Sequence, residues 1–385
     1  MKINHEQTKN TKKARKAFVF LVSTWLIFWG GGKRISSLPT SVQEPEWSGQ
    51  SSGALAKLSG VFFVDRDRGW VVGSNGTLLA TEDGGAKWRR QTLPERQSGE
   101  ALNDVWFFNP DRGLLLGEYG LFNRKGDIDW SERVFLLMSK DRGASWAEGT
   151  LQRPPIPQSG RQERLSGGNP GGDTLKTGRR PSDAILLRMS FANDRVGWAV
   201  GESGTIQRTI DGGGSWTLQD ASARKLLYDV AAIDDRHVWA VGAGGTILRT
   251  IDGGRNWNDQ SSGVIQPLRA VHFADPQNGW AVGAKGVIIS TSNGGASWRR
   301  QTSGVELNLN DVVFLNAKEG SGEGPREGWI AGDRGLLLHT TDGGATWENV
   351  ELSARANLSR LFFIAPDCGW VVGTSGAIFK YGSVK

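Results

Sequence analysis

The chain has 385 residues, of which 54 are glycine and 17 tryptophan, and 38% is hydrophobic. Glycine and tryptophan at these levels, without long apolar runs beyond the N-terminal segment, argue for many short strands joined by tight turns. One cysteine, Cys368, and four scattered histidines exclude an intrachain disulfide and a Cys- or His-cluster metal site, and the net charge of +6 comes largely from the N-terminal segment and one insert.

Lys2, Lys9, Lys12, Lys13, Arg15 and Lys16 precede an uncharged apolar run from Ala17 to Trp29. This pattern predicts a secretory signal over residues 1–32, followed by a linker over 33–44. The run is shorter than the roughly 20 residues of a membrane-spanning helix, so cleavage is expected. No A-x-A site follows, which leaves an uncleaved signal anchor as the alternative, with the protein then held at the membrane by its N-terminus. Either way the remainder is expected to be exported: periplasm or outer face of the inner membrane, or thylakoid lumen in a photosynthetic host.

From residue 45 one unit recurs. "WVVGSNGTLLATEDGGAKW" begins at Trp70, "WAVGESGTIQRTIDGGGSW" at Trp198 and "WAVGAGGTILRTIDGGRNW" at Trp239. Related copies begin at Trp280 and Trp329, a weaker one at Leu114, and the last, at Trp370, stops before its final hairpin. Each copy follows an apolar strand of the form L-x-x-V-x-F, such as Leu58/Val61/Phe63 and Leu268/Val271/Phe273, with the fourth degenerate at Leu227, Val230 and Ala232. Four strands (a to d) per unit of about 41 residues is the signature of a propeller blade. Seven copies predict an all-β fold, a seven-bladed β-propeller of four-stranded blades spanning residues 45–385. The glycines of the b–c turn (G-x-x-G) and of the c–d turn (D-G-G) are expected to supply positive φ. The seventh copy lacks its outer strand, while "WSGQSSG" at Trp47 matches the outer strands "WNDQSSG" at Trp257 and "WRRQTSG" at Trp298. Residues Trp47 to Ser52 are therefore predicted to complete the last blade and close the ring.

The c–d hairpins match the Asp-box (bacterial neuraminidase repeat) element T-x-D-x-G-x-x-W, with Asp83, Asp141, Asp211, Asp252 and Asp342 at the acidic position and Asn293 in its place in the fifth blade. The fuller unit, L-x-D-V-x-F followed by G-W-A-V-G-x-x-G-T-I-L and the Asp box, resembles the photosystem II stability/assembly factor propellers of cyanobacteria and chloroplasts and their relatives in non-photosynthetic bacteria. The resemblance covers about residues 45–382. It implies an exported, seven-bladed, non-enzymatic protein without cofactor that holds membrane-protein assembly intermediates. Two features depart from that family: the lipid-attachment cysteine of some members is absent, and a long polar insert follows the second blade.

Three groups of residues are candidates for a binding role. The a–b turns carry Arg66, Arg68, Arg112, Arg195, Arg236 and Arg326, which a propeller places on one face. That face could bind an acidic partner, or the arginines could be no more than solvated turns beside Asp65, Asp67, Asp111, Asp194 and Asp235. The innermost strands carry Asp104, Arg188, Asp229, Asp311 and Arg360 at matching positions. These could line the central channel for a ligand or pair with one another. The insert over residues 153–183, rich in Pro, Gly, Ser and Arg, could be a basic arm or a solvated loop.

A secreted Asp-box protein that binds or cleaves glycans is the alternative reading. Sialidase chemistry needs an arginine cluster and a Tyr/Glu pair, and Tyr119, Tyr228 and Tyr381 show no such context. No pair of acids stands out for a two-carboxylate hydrolase. No catalytic residue, metal or cofactor is expected. The partner is expected to be protein rather than nucleic acid, because the basic residues alternate with acids, and the chain is expected to be a monomer.

Overall fold

Seven four-stranded antiparallel sheets make up the protein, and their first strands contact one another in unbroken succession from blade 1 to blade 7 and back to blade 1. The computed structural model describes residues 45–120, 133–149, 151, 184–221, 224–315, 324–353 and 355–383. The expected signal and linker (1–44) and the expected insert (153–183) lie outside the described residues. Among the described residues, no helix is long and apolar enough to cross a membrane.

The first blade sets the pattern. Strand a is Leu58–Phe63, b is Gly69–Gly73, c is Thr77–Thr81 and d is Arg89–Arg90. Strand b is buried along its whole length in blade 1, as are its equivalents Gly197–Gly201, Val238–Gly242 and Gly279–Gly283. A strand covered on both sides is uniformly apolar rather than alternating, which is why W-A-V-G recurs. The tryptophan of each b strand is at most 5% exposed. Where strand a of the next blade ends in phenylalanine, it lies against that ring: Trp70 on Phe107 at 3.5 Å between ring centroids, Trp239 on Phe273 at 3.7 Å and Trp280 on Phe314 at 3.5 Å. The outer-strand tryptophan meets the same ring edge-on from its own blade, as Trp146 meets Phe107 at 6.0 Å and Trp298 meets Phe273 at 5.9 Å. The core is thus a series of apolar seams between blades, five of them held by an aromatic triad; Leu114 replaces the b-strand tryptophan of blade 2, and strand a of blade 4 ends on Ala232 in place of phenylalanine.

The ring closes as its sequence predicts. The segment Glu46–Gln50 pairs antiparallel with Ile378–Gly382, with Trp47 opposite Tyr381, and forms the outer strand of the last blade. Trp47 meets Phe363 edge-on at 5.9 Å, the geometry of the other outer-strand tryptophans.

Two turns explain the glycines. In the c–d hairpin of blade 4, Gly253 and Gly254 both take positive φ, 74° and 86°. The b–c turn differs from the expectation. Its first glycine, Gly201, is extended (φ −175°), and positive φ falls instead on Ser203 and Gly204. Glycine is needed at 201 for space, since a Cβ there would collide with the carbonyl oxygen of Ile185.

The Asp-box side chains hold the hairpins. Asp252 Oδ1 accepts from the Thr250 hydroxyl at 2.8 Å and from the Asn256 amide N–H at 3.0 Å, and the Thr250 oxygen accepts from Gly254 N–H at 2.9 Å. Asp83, Asp141, Asp211 and Asp342 make the same bonds, and Asn293 does so through its amide oxygen.

Candidate functional site

All seven blades meet at the central channel. Each strand a carries a β-bulge just after its leading leucine, as between Leu58 and Gly60 or Leu309 and Asp311. A bulge sets two consecutive residues against one on the partner strand and re-aims their side chains. The residue after each leucine, namely Ser59, Asn103, Leu187, Tyr228, Arg269, Asn310 and Ser359, borders a cavity of about 640 Å³ at the mouth of the channel. These seven residues do not figure among the sequence candidates. The signal was present: Leu58 and Val61 are both buried, yet stand three apart. Residues on one face of a regular strand stand two apart, so the spacing itself encodes the bulge.

Of the five charged residues expected along the channel, Arg188 borders the cavity and the other four do not. Asp104, Asp229 and Asp311 are 3–5% exposed. Each accepts a backbone N–H from the next blade: Met189 to Asp104 Oδ2 at 2.9 Å, Val271 to Asp229 Oδ2 at 3.0 Å and Leu361 to Asp311 Oδ2 at 2.7 Å. Their other oxygens face cations. Arg360 lies 3.4 Å from Asp229 Oδ1 and 3.3 Å from Asp311 Oδ1, and Arg188 lies 3.8 Å from Asp104 Oδ1. Arg188 also donates to the carbonyls of Ser59 at 2.9 Å and Asn103 at 2.8 Å. Burial pushes the Asp311 carboxyl up to about 6, against the pull of Arg360. Burial likewise raises Asp104, with Arg188 and Arg360 opposing. The Arg360 guanidinium is held above its ordinary value, because Asp311, Asp229 and Asp104 outweigh the cost of its burial. Beneath the cavity the Arg188 cluster ties blades 1, 2 and 3 together, and the Arg360 cluster ties blades 4, 5, 6 and 7.

The a–b turns share the opposite face with the Asp-box hairpins, to which they are tied by backbone bonds such as Gly84 N–H to Asp67 O at 2.7 Å and Gly212 N–H to Arg195 O at 2.7 Å. The six arginines divide there. Arg66 forms a two-bond pair with Asp367 of the last blade, 2.6 and 3.1 Å, and Arg68 pairs with Asp65 at 2.7 Å. Arg112 donates to the carbonyls of Asp194 and Gly212 at 3.0 Å each and lies over the Phe108 ring. Arg326 is exposed and has a partner of its own. Arg195 and Arg236 are exposed, and their guanidinium groups make no ion pair among the described residues. Of the six a–b arginines, the two without an ion pair among the described residues thus belong to blades 3 and 4. Among the described residues, no group of three His, Cys, Asp or Glu could hold a metal ion.

A family model described as "Photosynthesis system II assembly factor YCF48" matches residues 5–126, 39–154 and 263–356, more than half of the chain. The chain belongs to the YCF48 family. A photosystem II assembly lipoprotein Ycf48 of Synechocystis sp. is 33% identical over 101 residues, which are 25% of this chain and 28% of that relative's own length. The solved structure of YCF48 bound to D1 peptide superposes with a TM-score of 0.64 at 22% identity, covering 90% of this chain and 99% of that one. A GH74 xyloglucanase of Xanthomonas campestris gives 0.60 at 14% identity and is covered over only 53% of its length. At these identities the structural likenesses concern the fold alone. The YCF48 match extends through the first and second blades and again through the fifth and sixth.

Proposed function

We propose that this chain is an exported, non-catalytic scaffold that binds a protein partner during the assembly or stabilisation of a membrane-protein complex. Where the host makes photosystem II, that complex is the natural candidate. The observation that carries the reading is membership of the YCF48 family across the blades themselves. The N-terminal pattern of cations and apolar residues supports export. The state of the channel acids supports a non-catalytic role. Hydrolysis by two carboxylates needs both free to face a substrate, and Asp104, Asp229 and Asp311 are each engaged by a backbone N–H and lie beside an arginine.

The partner surface in this reading is the turn face around Arg195 and Arg236. Exposed cations without an ion-pair partner among the described residues attract an acidic segment without first breaking an ion pair. The test is capture of membrane proteins from detergent-solubilised host membranes by the immobilised protein, alongside incubation of the pure protein with sialyl and xyloglucan substrates. Retention of a membrane-complex subunit without glycan turnover is expected. Turnover of either glycan would overturn the scaffold reading.

A further inference from the structure

One niche recurs between neighbouring blades on the turn face. The backbone bond between the Asp-box hairpin and the a–b turn of a blade brings two carbonyls together: that of the first residue after the Asp-box acid, and that of the residue before the a–b acceptor. At four junctions a cation fills this niche from the preceding blade. Arg112 donates to both carbonyls, of Asp194 and Gly212. Arg208 and Arg249 lie against Gly253 and Gly294, where an added Cβ would meet Nη2 at 3.4 and 2.9 Å, beside the carbonyls of Asp235 and Pro276. Lys380 Nζ lies likewise against Gly84, beside the carbonyl of Arg66. Arg208, Arg249 and Lys380 are the cross-strand partners of Trp198, Trp239 and Trp370. Their charged heads sit 5.4–5.5 Å from those ring centroids, a cation–π arrangement.

The junction between blades 1 and 2 keeps the frame and lacks a cation in it: Arg68, which stands where Arg112 stands in blade 2, lines the site but is paired with Asp65. Arg142 N–H donates to Asp111 O at 3.1 Å, as at the other junctions, so the carbonyls of Pro110 and Arg142 hold the corresponding positions. The cross-strand partner of Trp70, however, is Ala80. A cavity of about 250 Å³ takes the place of the missing side chain, walled by Trp70, Ala80 and Pro110 and by the acids Glu82 and Asp83. Two cations on its wall are already paired, Arg68 with Asp65 and Arg142 with Asp111; Lys87 and Arg89 are exposed.

We propose that this cavity is a socket for a basic side chain, arginine above lysine, presented by a partner polypeptide. The guest takes the place that Arg208 and Arg249 take at their junctions with the next blade. Its alkyl stem lies along Ala80 and Pro110, its head stacks on Trp70, and its N–H groups reach the two carbonyls as those of Arg112 do between blades 2 and 3. A planar guanidinium can stack and donate to two acceptors at once, which an ammonium cannot do as well. The inference rests on blade geometry and not on the assembly reading, so the two fail separately.

The test is titration of the full chain, with ¹⁵N-labelled tryptophan, by the peptide acetyl-Gly-Arg-Gly-amide and by its citrulline counterpart, a neutral isostere. The Trp70 indole resonance is assigned with Trp70→Phe. A saturable shift of that resonance with the arginine peptide is expected, with binding roughly tenfold weaker for citrulline. The shift should vanish in Ala80→Arg, which fills the niche from within. It should also vanish in Ala80→Met, which copies Met138 at the same position of blade 2 and serves if Ala80→Arg does not fold. No saturable shift in the wild type, equal response to citrulline, or unchanged binding in a folded Ala80 variant would each overturn the proposal.

Discussion

Trp370 stacks on Phe63 with ring centroids 3.4 Å apart and an interplanar angle of 9°, joining the last blade to the first. The pairs Trp70–Phe107 and Trp280–Phe314, within the ring, are built alike at 3.5 Å. The closing junction is therefore as well packed as those between successive blades. Trp370→Ala removes a fully buried indole, and the expected cost is about 3–5 kcal/mol in denaturant unfolding. A loss below about 1 kcal/mol would mean that the closing seam contributes little.

Closure also depends on the N-terminal strand. Trp47 packs on Trp329 at 5.5 Å and on Tyr381 at 5.3 Å as well as on Phe363, and its strand covers an edge that would otherwise be open. Deleting residues 45–50 is expected to lower the melting temperature sharply and to promote association through the bared edge. A melting curve that matches the full chain would show that the strand is dispensable.

The Asp boxes give a defined acid response. The Asn256 side chain and amide hold the Asp252 carboxyl down to about 2, and Thr346 does the same for Asp342. Both folded values lie below the ordinary carboxylate value of 3.8. The stability these groups contribute is thus fully present above that value and is lost as pH falls through 2. Asn293 makes the same turn bonds through an amide. Asp252→Asn/Asp342→Asn should therefore fold and show a flatter fall in melting temperature between pH 4 and 2. An unchanged slope would assign the acid response to other groups.

The channel network responds in the opposite sense. Asp311 is raised by burial, so its folded form favours the proton. The stability linked to that proton is present below the ordinary carboxylate value and is lost as pH rises through about 6. Arg360 offsets the loss by facing the charged form. Arg360→Met leaves Asp229 and Asp311 buried without their cation, at a cost of about 3–5 kcal/mol. The variant should be more severely destabilised at pH 8 than at pH 5. Equal destabilisation at both values would rule out Asp311 as the responsible group.

The fold was legible because each blade repeats its own instructions: b-strand tryptophan, Asp box, outer tryptophan. Even the displaced strand at Trp47 could be matched by residue type to Trp257 and Trp298. The site was less so, because it depends on what lies across a junction. The charges of Asp104, Arg188, Asp229, Asp311 and Arg360 could be aligned by repeat position, but the bulge that turns Ser59 and Asn310 to the cavity and keeps Asp311 below it lies in a spacing, not in a residue type. The run of turn arginines likewise hides a division. Whether Arg112 or Arg195 is committed depends on a carbonyl of the next blade, which no local pattern contains.

The proposed grip of the propeller on a protein partner runs through Arg195 and Arg236 of its turn face. It is tested most directly by comparing the wild type with Arg195→Ala/Arg236→Ala in capture from detergent-solubilised host membranes at low and high salt. The variant should melt like the wild type, since neither side chain makes an ion pair among the described residues. The account predicts that the wild type retains a membrane-complex subunit at low salt and releases it as salt rises, and that the variant retains much less at any salt. Equal retention by the two proteins, or retention indifferent to salt, would contradict it.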